Sequence, residues 1–315
     1  MDIFQFFFLK KILSKLIIIL KLFSITLILI LKIIIRLKYD SRFYQKVLLC
    51  TVAKDENKYI KEFMEHYKKL KISKIIIYDN NDINGEYIQE IIKNDIENNY
   101  VKIINYRGFK QPQKVALDDC YKRYNYNYDW IAFYDIDEFL HIKNYSNIKD
   151  FLSLPKLKNC QGILINWKYY GDNNKLYYEP KPLAERFIQP FYFSNSSLVY
   201  IKYFISASKT IVRGRLKIIW GHFPHYIKNI INCRPDGKLL YNYLSPPQYS
   251  IAYINHYITK STEEFAKRLN RGDVILKVDE FYIKSRINDY YFLFNNKTKK
   301  KVDLFKERLK YKIQF

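Results

Sequence analysis

Two aspartates one residue apart, Asp135 and Asp137, stand with Glu138 directly after the apolar run Trp130-Ile131-Ala132-Phe133-Tyr134. Where a strand ends, side chains at i and i+2 share a side, so this pair of carboxylates can grip one divalent cation together. A hard cation in such a set is Mn²⁺ or Mg²⁺, acting as a Lewis acid on the charge of a departing diphosphate. A neutral imidazole would complete such a set, and the chain offers five: His66, His141, His222, His225 and His256. Carboxylate–metal pairs also serve phosphotransferases and nucleases, and Asp-x-Asp occurs in plain solvated turns, so the surrounding elements must decide.

Those elements alternate. Val47 to Ala53 is an apolar run of strand length, followed by the polar turn Lys54-Asp55-Glu56-Asn57. Tyr59 to Leu70 places Ile60, Phe63, Met64, Tyr67 and Leu70 at helical spacing, and Lys74 to Tyr78 reads as a second strand ending at Asp79. A helix over Tyr87 to Asn94, a strand over Val101 to Tyr106 and a helix over Gln113 to Tyr124 lead to the strand at Trp130. This βαβ order predicts an α/β fold with parallel strands and a ligand site at their carboxyl ends. Further strands are expected around Gly162 to Trp167 and Thr210 to Val212, with helices over Thr262 to Leu269 and after Val302. No P-loop or Gly-x-Gly-x-x-Gly occurs, which removes support for NTP hydrolysis and classical dinucleotide binding.

Residues 3 to 37 are apolar apart from spaced bases, and no small-residue cleavage site follows, so they are expected to stay on as an anchor. The longest uncharged stretch, Leu22 to Leu31, is ten residues, against roughly 20 needed to span a bilayer. Wound as a helix, Lys10, Lys11, Ser14, Lys15, Lys21, Lys32 and Arg36 fall within an arc of roughly 140°. Both an in-plane amphipathic helix on anionic lipid and a tilted spanning helix with snorkelling lysines fit that pattern. The formal net charge of +23 is spread along the chain with no DNA- or RNA-binding motif, so no nucleic acid is expected as partner. Cys50, Cys120, Cys160 and Cys233 lack paired or zinc-type spacing, which points to free thiols in a reducing compartment.

Three segments in order carry a family resemblance: the turn Lys54-Asp55-Glu56 after the first strand, Tyr78-Asp79-Asn80 ending the second, and Trp130 to Phe139 around the aspartates. It continues through Asn166-Trp167, Glu185-Arg186-Phe187, Lys209 to Arg213 and Asn255 to Ser261. Over about residues 47 to 272 the chain resembles the GT-A fold glycosyltransferases of the family 2 and family 92-like branch. Asp55 stands where that pattern has Asn, and Gly214 where it has Pro.

The resemblance implies a mixed, mostly parallel central sheet flanked by helices, with an N-terminal membrane helix over residues 1–40, a catalytic domain over 41–275 and a basic helical extension over 276–315. It implies a hexose or N-acetylhexosamine moved from a nucleotide sugar, UDP-linked by expectation, to a glycan, glycolipid or glycoprotein acceptor, with inversion. Thr51, Val52, Lys54, Glu56 and Asp79 are then expected at base and ribose, Asp135 at donor and metal, and Asp137 and His256 at the metal. Arg186, Lys209, Arg213 and Lys260 are candidate partners of the diphosphate. Inversion needs a carboxylate base, for which Asp172, Glu179 and Glu185 are the candidates with Glu185 preferred, and Glu138 is a further catalytic candidate facing the donor sugar or supporting the loop. The expected place is a membrane: the cytoplasmic face of the inner membrane if bacterial, a Golgi-type membrane if eukaryotic. A basic membrane scaffold without catalysis is the alternative reading.

Overall fold

The computed structural model describes residues 45–110, 112–192, 207–222, 224–242, 246–272 and 279–310, with Leu16, Ile19, Leu20, Phe23, Ser24, Thr26 and Leu27. The chain divides into Met1–Tyr44 and Gln45–Phe315. In the first unit the seven described positions are helical and exposed; the remainder of the expected anchor lies outside the described residues. Among the described residues no helix is long and apolar enough to cross a membrane.

The second unit is built on strands β1 (Val47–Ala53), β2 (Lys74–Asp79), β3 (Val101–Asn105), β4 (Trp130–Phe133), β5 (Glu138–Ile142), β6 (Gly162–Tyr169) and β7 (Ser208–Arg213). Short strands follow: β8 (Trp220–His222), β9 (Tyr226–Ile227), β10 (Asn232–Cys233), β11 (Leu239–Leu240) and β12 (Ala252–His256). The sheet runs β11-β10-β6-β7-β4-β1-β2-β3, with β12 joining β6 to β5, while β8 and β9 form a separate hairpin. β4, β1, β2 and β3 are mutually parallel, and β7 is antiparallel to both β4 and β6. The sheet is thus mixed, and helices α1 (Asn57–Lys69), α2 (Ile88–Ile91), α3 (Lys93–Glu97) and α4 (Gln113–Tyr124) connect its parallel half.

β1 shows why these runs are apolar throughout. Its Val47, Leu49 and Ala53 enter the core on one face of the sheet, while Leu48 and Cys50 enter the core on the other. A strand covered on both faces has no polar side, so alternation disappears from its sequence. Ile75, Ile76 and Ile77 of β2 are fully buried, each worth about 1.5–3 kcal/mol. The helix expected over Tyr87 to Asn94 is instead two short ones meeting at Ile92.

The later part holds α5 (Ile148–Leu152), α6 (Leu183–Arg186), α7 (Thr262–Arg271), α8 (Glu280–Ser285, running through a π-helical turn to Phe294) and α9 (Lys299–Arg308). Phe265 and Leu269 of α7 form a third apolar cluster with Ile283, Tyr291, Phe294 and Phe305. α7 opens on a complete capping box, with Ser261 accepting from the Glu264 amide and Glu264 accepting from the Ser261 amide.

The cysteines depart from the expectation. Cys50 is bonded to Cys120 and Cys160 to Cys233, and no described cysteine is free. Each bond joins separate elements, the first fastening β1 to α4, so the spacing along the chain carried no sign of the pairing.

Candidate active site

Asp135, Asp137 and Glu138 occupy the tight passage from β4 into β5. The Glu138 amide donates to the Asp135 carbonyl, and the Asp135 amide donates to Glu138 Oε2, closing the turn from both sides. β5 then pairs antiparallel with β12, placing His256 opposite Glu138 and beside Asp137. His256 Nε2 lies 3.7 Å from Asp137 Oδ1. The structure therefore gathers Asp135 and Asp137 of one turn and His256 of β12 at one sheet edge.

Both aspartates have basic neighbours. Asp135 Oδ1 accepts from Gln113 Nε2 at 3.1 Å and Oδ2 from Lys209 Nζ at 2.8 Å. Lys209 also lies 3.3 Å from Glu138 Oε1 and is 2% exposed. Asp137 Oδ2 lies 3.5 Å from Lys260 Nζ and 3.7 Å from Arg268 Nη1. Burial alone raises a carboxylic acid, yet Lys260, His256, Arg268 and Arg271 outweigh it and hold Asp137 well below the ordinary range. Asp135 is likewise lowered, with Lys209 overcoming burial. Burial lowers the Lys209 ammonium, but Asp135 and Glu138 reverse this and carry it to about 12. Glu138, fully buried, is pushed well above the carboxylate range by that burial. Burial keeps His256 neutral down to about 4, against the pull of Asp137.

Among the described residues no three His, Cys, Asp or Glu side chains already stand as a metal cage. The chemistry of the donors nonetheless fits a hard divalent ion: two ionised carboxylates and a neutral imidazole whose Nδ1 is buried without a hydrogen-bond partner. Asp137 and His256 are the closest pair at 3.7 Å, while Asp135 is engaged by Lys209.

The remaining expectations divide. Thr51 and Val52 lie at the carboxyl end of β1, Thr51 fully buried with an unpartnered hydroxyl. Lys54 pairs with Asp82 at 2.9 Å, and Glu56 with Arg271 at 2.8 Å. Asp79 is spent internally: Oδ1 accepts from the Asn81 amide and Nδ2, and Oδ2 from Arg107 Nη1 at 2.9 Å. Arg107 in turn donates to the carbonyls of Asp82, Ile83, Gly85 and Glu86, so Asp79 shapes this loop from within.

Four candidates are corrected. Arg186 is 3% exposed and donates from both Nη atoms to Glu264, so its charge is consumed inside the fold. Arg213 pairs in register with Trp130, at the amino end of β4. At about 3.3 Å per residue that is the far side of the sheet from Asp135. There it donates to the Cys160 and Lys158 carbonyls and covers the Trp130 ring. Asp172 is sealed against Lys301 Nζ at 2.6 Å and accepts from the Tyr291 hydroxyl. Glu185 is exposed on α6 and makes no contact with the aspartates among the described residues. Of the three carboxylates expected as base, none faces the site open and unpaired.

Gln113, Arg107, Arg268 and Arg271 went unread. Gln113 was seen only as the start of a helix, and the arginines are hidden by the general excess of basic residues. The signal that was present is the spacing Glu264, Arg268, Arg271, one stripe of α7.

A family model described as glycosyltransferase family 92 matches residues 46–300. The chain belongs to glycosyltransferase family 92. It is similar to a family 92 protein of Oryza sativa subsp. japonica, 25% identical over 128 residues covering 40% of this chain and 21% of that one. It is also similar to one of Ricinus communis, 23% identical over 105 residues covering 33% of this chain and 19% of the other. These matches span about a fifth of the length of the curated relatives. Among solved structures, S. aureus TarS aligns with a TM-score of 0.38 and 13% identity over 80% of this chain and 44% of that one. TarS 1–349 in complex with UDP-GlcNAc aligns with a TM-score of 0.34 and 13% identity over 84% and 79%.

Proposed function

We propose that this family 92 chain is a glycosyltransferase of the GT-A type that transfers a hexose or N-acetylhexosamine from a UDP-sugar to a glycan, glycolipid or glycoprotein acceptor, with Mn²⁺ or Mg²⁺ bound. The observation that carries the reading is the meeting of Asp135, Asp137 and His256 at the carboxyl edge of the sheet, beside a cleft rich in cations. An α/β sheet binds its ligand at that edge. When bound, the metal supplies charge neutralisation at the leaving diphosphate, held by Asp137, His256 and Asp135. The chain's own residues do the rest: the Arg107-braced loop after β2 shapes the nucleoside side, Lys209 fixes the Asp135 carboxylate, and Gln113 sets its plane. Asp172, Glu185 and Glu138 are each buried, paired or distant, so the reaction is proposed without a stereochemical course.

All four cysteines being paired supports an oxidising compartment, hence a catalytic unit on the lumenal or extracytoplasmic side of a membrane, reversing the expectation of free thiols. The test is release of nucleotide from UDP-glucose, UDP-galactose, their N-acetyl forms and GDP-mannose by the full chain, with Mn²⁺ or with EDTA, beside Asp137→Ala. Metal-dependent release from one UDP-sugar, lost in the variant, is the expected outcome. No turnover of any donor, with no donor raising the unfolding temperature, would sink the proposal.

A further inference from the structure

The chain carries three Asn-x-Ser/Thr triplets, at Asn144, Asn195 and Asn296. Such a triplet is an acceptor for an N-linked glycan, provided that it lies on the surface of a chain that enters a secretory compartment. In a sequence so rich in Asn the triplets arise readily by chance, so their places in the fold must decide between them. Asn195 lies outside the described residues.

Asn144 stands in the turn from β5 into α5. On one side the ladder with β12 ends, where the Lys143 amide donates to the Ile251 carbonyl. On the other, Asn147 caps α5, its side chain accepting from the Asp150 amide. Asn144 and Ser146 are exposed between these two fixed points. Asn144 has φ +64°, a left-handed backbone that Asn adopts more readily than most residues and that belongs to tight turns. Among the described residues, neither the Asn144 side-chain amide nor the Ser146 hydroxyl has a hydrogen-bond partner. The acceptor nitrogen and the hydroxyl of this triplet are thus both open to solvent, on a turn pinned at each end.

The triplet at Asn296 is placed differently. Thr298 uses its hydroxyl as the cap of α9, accepting from the Lys301 amide at 3.4 Å. The preceding Asn295 is buried, accepts from the Asp172 amide and donates to the Tyr291 carbonyl. This triplet is built into the seating of α9 on the loop after β6.

Two further observations bear on Asn144. Both cysteine pairs are closed, the state of a chain that has folded in an oxidising compartment, and Asn144 lies between the two disulfide loops, enclosed by neither. It is also six residues beyond Glu138, about 15–20 Å along the strand direction at roughly 3.3 Å per residue. A glycan there clears the acidic turn.

We propose that Asn144 is an N-glycosylation site, taking its glycan from a lipid-linked diphosphate oligosaccharide on the lumenal side of a membrane. In the transfer Asn144 Nδ2 bonds to the anomeric carbon of the first sugar, and the bond from that carbon to the phosphate oxygen breaks. The lipid diphosphate leaves with the electron pair, and one amide proton passes to a base of the transferring enzyme. The proposal rests on the lumenal reading of the disulfides and on no part of the donor site.

The test is to produce the full chain in a eukaryotic cell line that makes N-linked glycans and to treat it with peptide N-glycanase. Mass spectrometry then reads the tryptic peptide from Asn144 to Lys149, and alkylation before reduction reads the cysteines. The enzyme is expected to raise the mobility of the chain and to leave an aspartate in that peptide where the glycan stood. Asn144→Gln and Ser146→Ala each abolish modification of the peptide, while Ser146→Thr, which keeps the hydroxyl, retains it. Unmodified Asn144 in a chain with both disulfides formed overturns the proposal alone. A glycan on Asn296 with Asn144 bare overturns it too, as does full modification of Asn144 in Ser146→Ala. Unmodified Asn144 with cysteines open to alkylation defeats the lumenal reading, and the proposal with it.

Discussion

Two buried lysine–aspartate pairs in this molecule differ in how closely the charges meet and in what surrounds them. Lys301 meets Asp172 at 2.6 Å, both about 2–3% exposed. The Asp172 amide donates to Asn295, and the Tyr291 hydroxyl that reaches its carboxylate also touches Thr262. Lys260 stands 3.5 Å from Asp137, is shared with Glu56, and opens on a cleft. The first pair uses both Asp172 oxygens, Oδ1 for the Asn174 amide and Oδ2 for Tyr291 and Lys301, and fastens α9 and the π-helical turn to the loop after β6. The second leaves its bonding capacity partly unmet, which is the state a ligand can exploit. Carboxylates next to lysines are therefore assigned to structure or to binding by how completely their oxygens are used.

The contrast breaks most sharply under mutation. Asp172→Ala strands Lys301 in the interior and is expected to lower the free energy of unfolding by about 3–5 kcal/mol in urea denaturation. Asp137→Asn keeps the side chain's shape but removes the charge that Lys260 and Arg268 face, so it is expected to cost about 1–3 kcal/mol of stability, less than Asp172→Ala, while donor turnover drops roughly 10²- to 10³-fold. Equal destabilisation by both changes would erase the distinction. The disulfides close loops with separations of 70 and 73 residues, and each is worth about 4 kcal/mol of unfolded-chain entropy. Cys160→Ser with Cys233→Ser should lower the denaturation midpoint accordingly, and reductant should do the same to the parent chain. An unchanged midpoint under reductant would show the thiols to be unpaired in solution.

The smallest expected effect is on pH. His66, whose Nε2 meets the Leu140 carbonyl, is held by burial at about 4. The unfolded chain takes up that proton below about 6.5, so stability from this group is complete above that pH and falls as the pH drops toward 4. Between pH 7 and 5 the loss is about 2 kcal/mol, and His66→Gln should flatten that part of the profile.

What the sequence displayed was whatever burial on both faces imposes. β1, β2 and β4 appeared as uninterrupted apolar runs, and α1 as a clean helical period, because neighbouring residues alone create those patterns. β5 and β12 did not appear: Glu138, His141, Asn255 and His256 interrupt their apolar content, since these strands carry the site as well as the sheet. The Asp-x-Asp turn was legible as chemistry, and Lys209 and Lys260 stood out as cations for it, but their contacts with the aspartates, and the part of Arg268, did not. Lys209 reaches Asp135 across 74 residues, and Arg268 reaches Asp137 from a helix whose charges merge with the basic background. Arg186 and Arg213 misled for the same reason, because charge alone says nothing about which end of a strand or which carboxylate it serves.

The two disulfide loops share no residue: one runs from 50 to 120, the other from 160 to 233, and the Asp135 turn falls in the stretch between them. Viewed as a circuit, the chain holds two separate closed rings joined by one open wire, and the wire carries the acidic turn, while Gln113 and Lys209 reach it from the rings and His256 from beyond them. A chain emerging amino end first can close the first ring before either cysteine of the second has been made. The nested or crossed closures that would leave competing thiols unpaired upstream are absent from this arrangement.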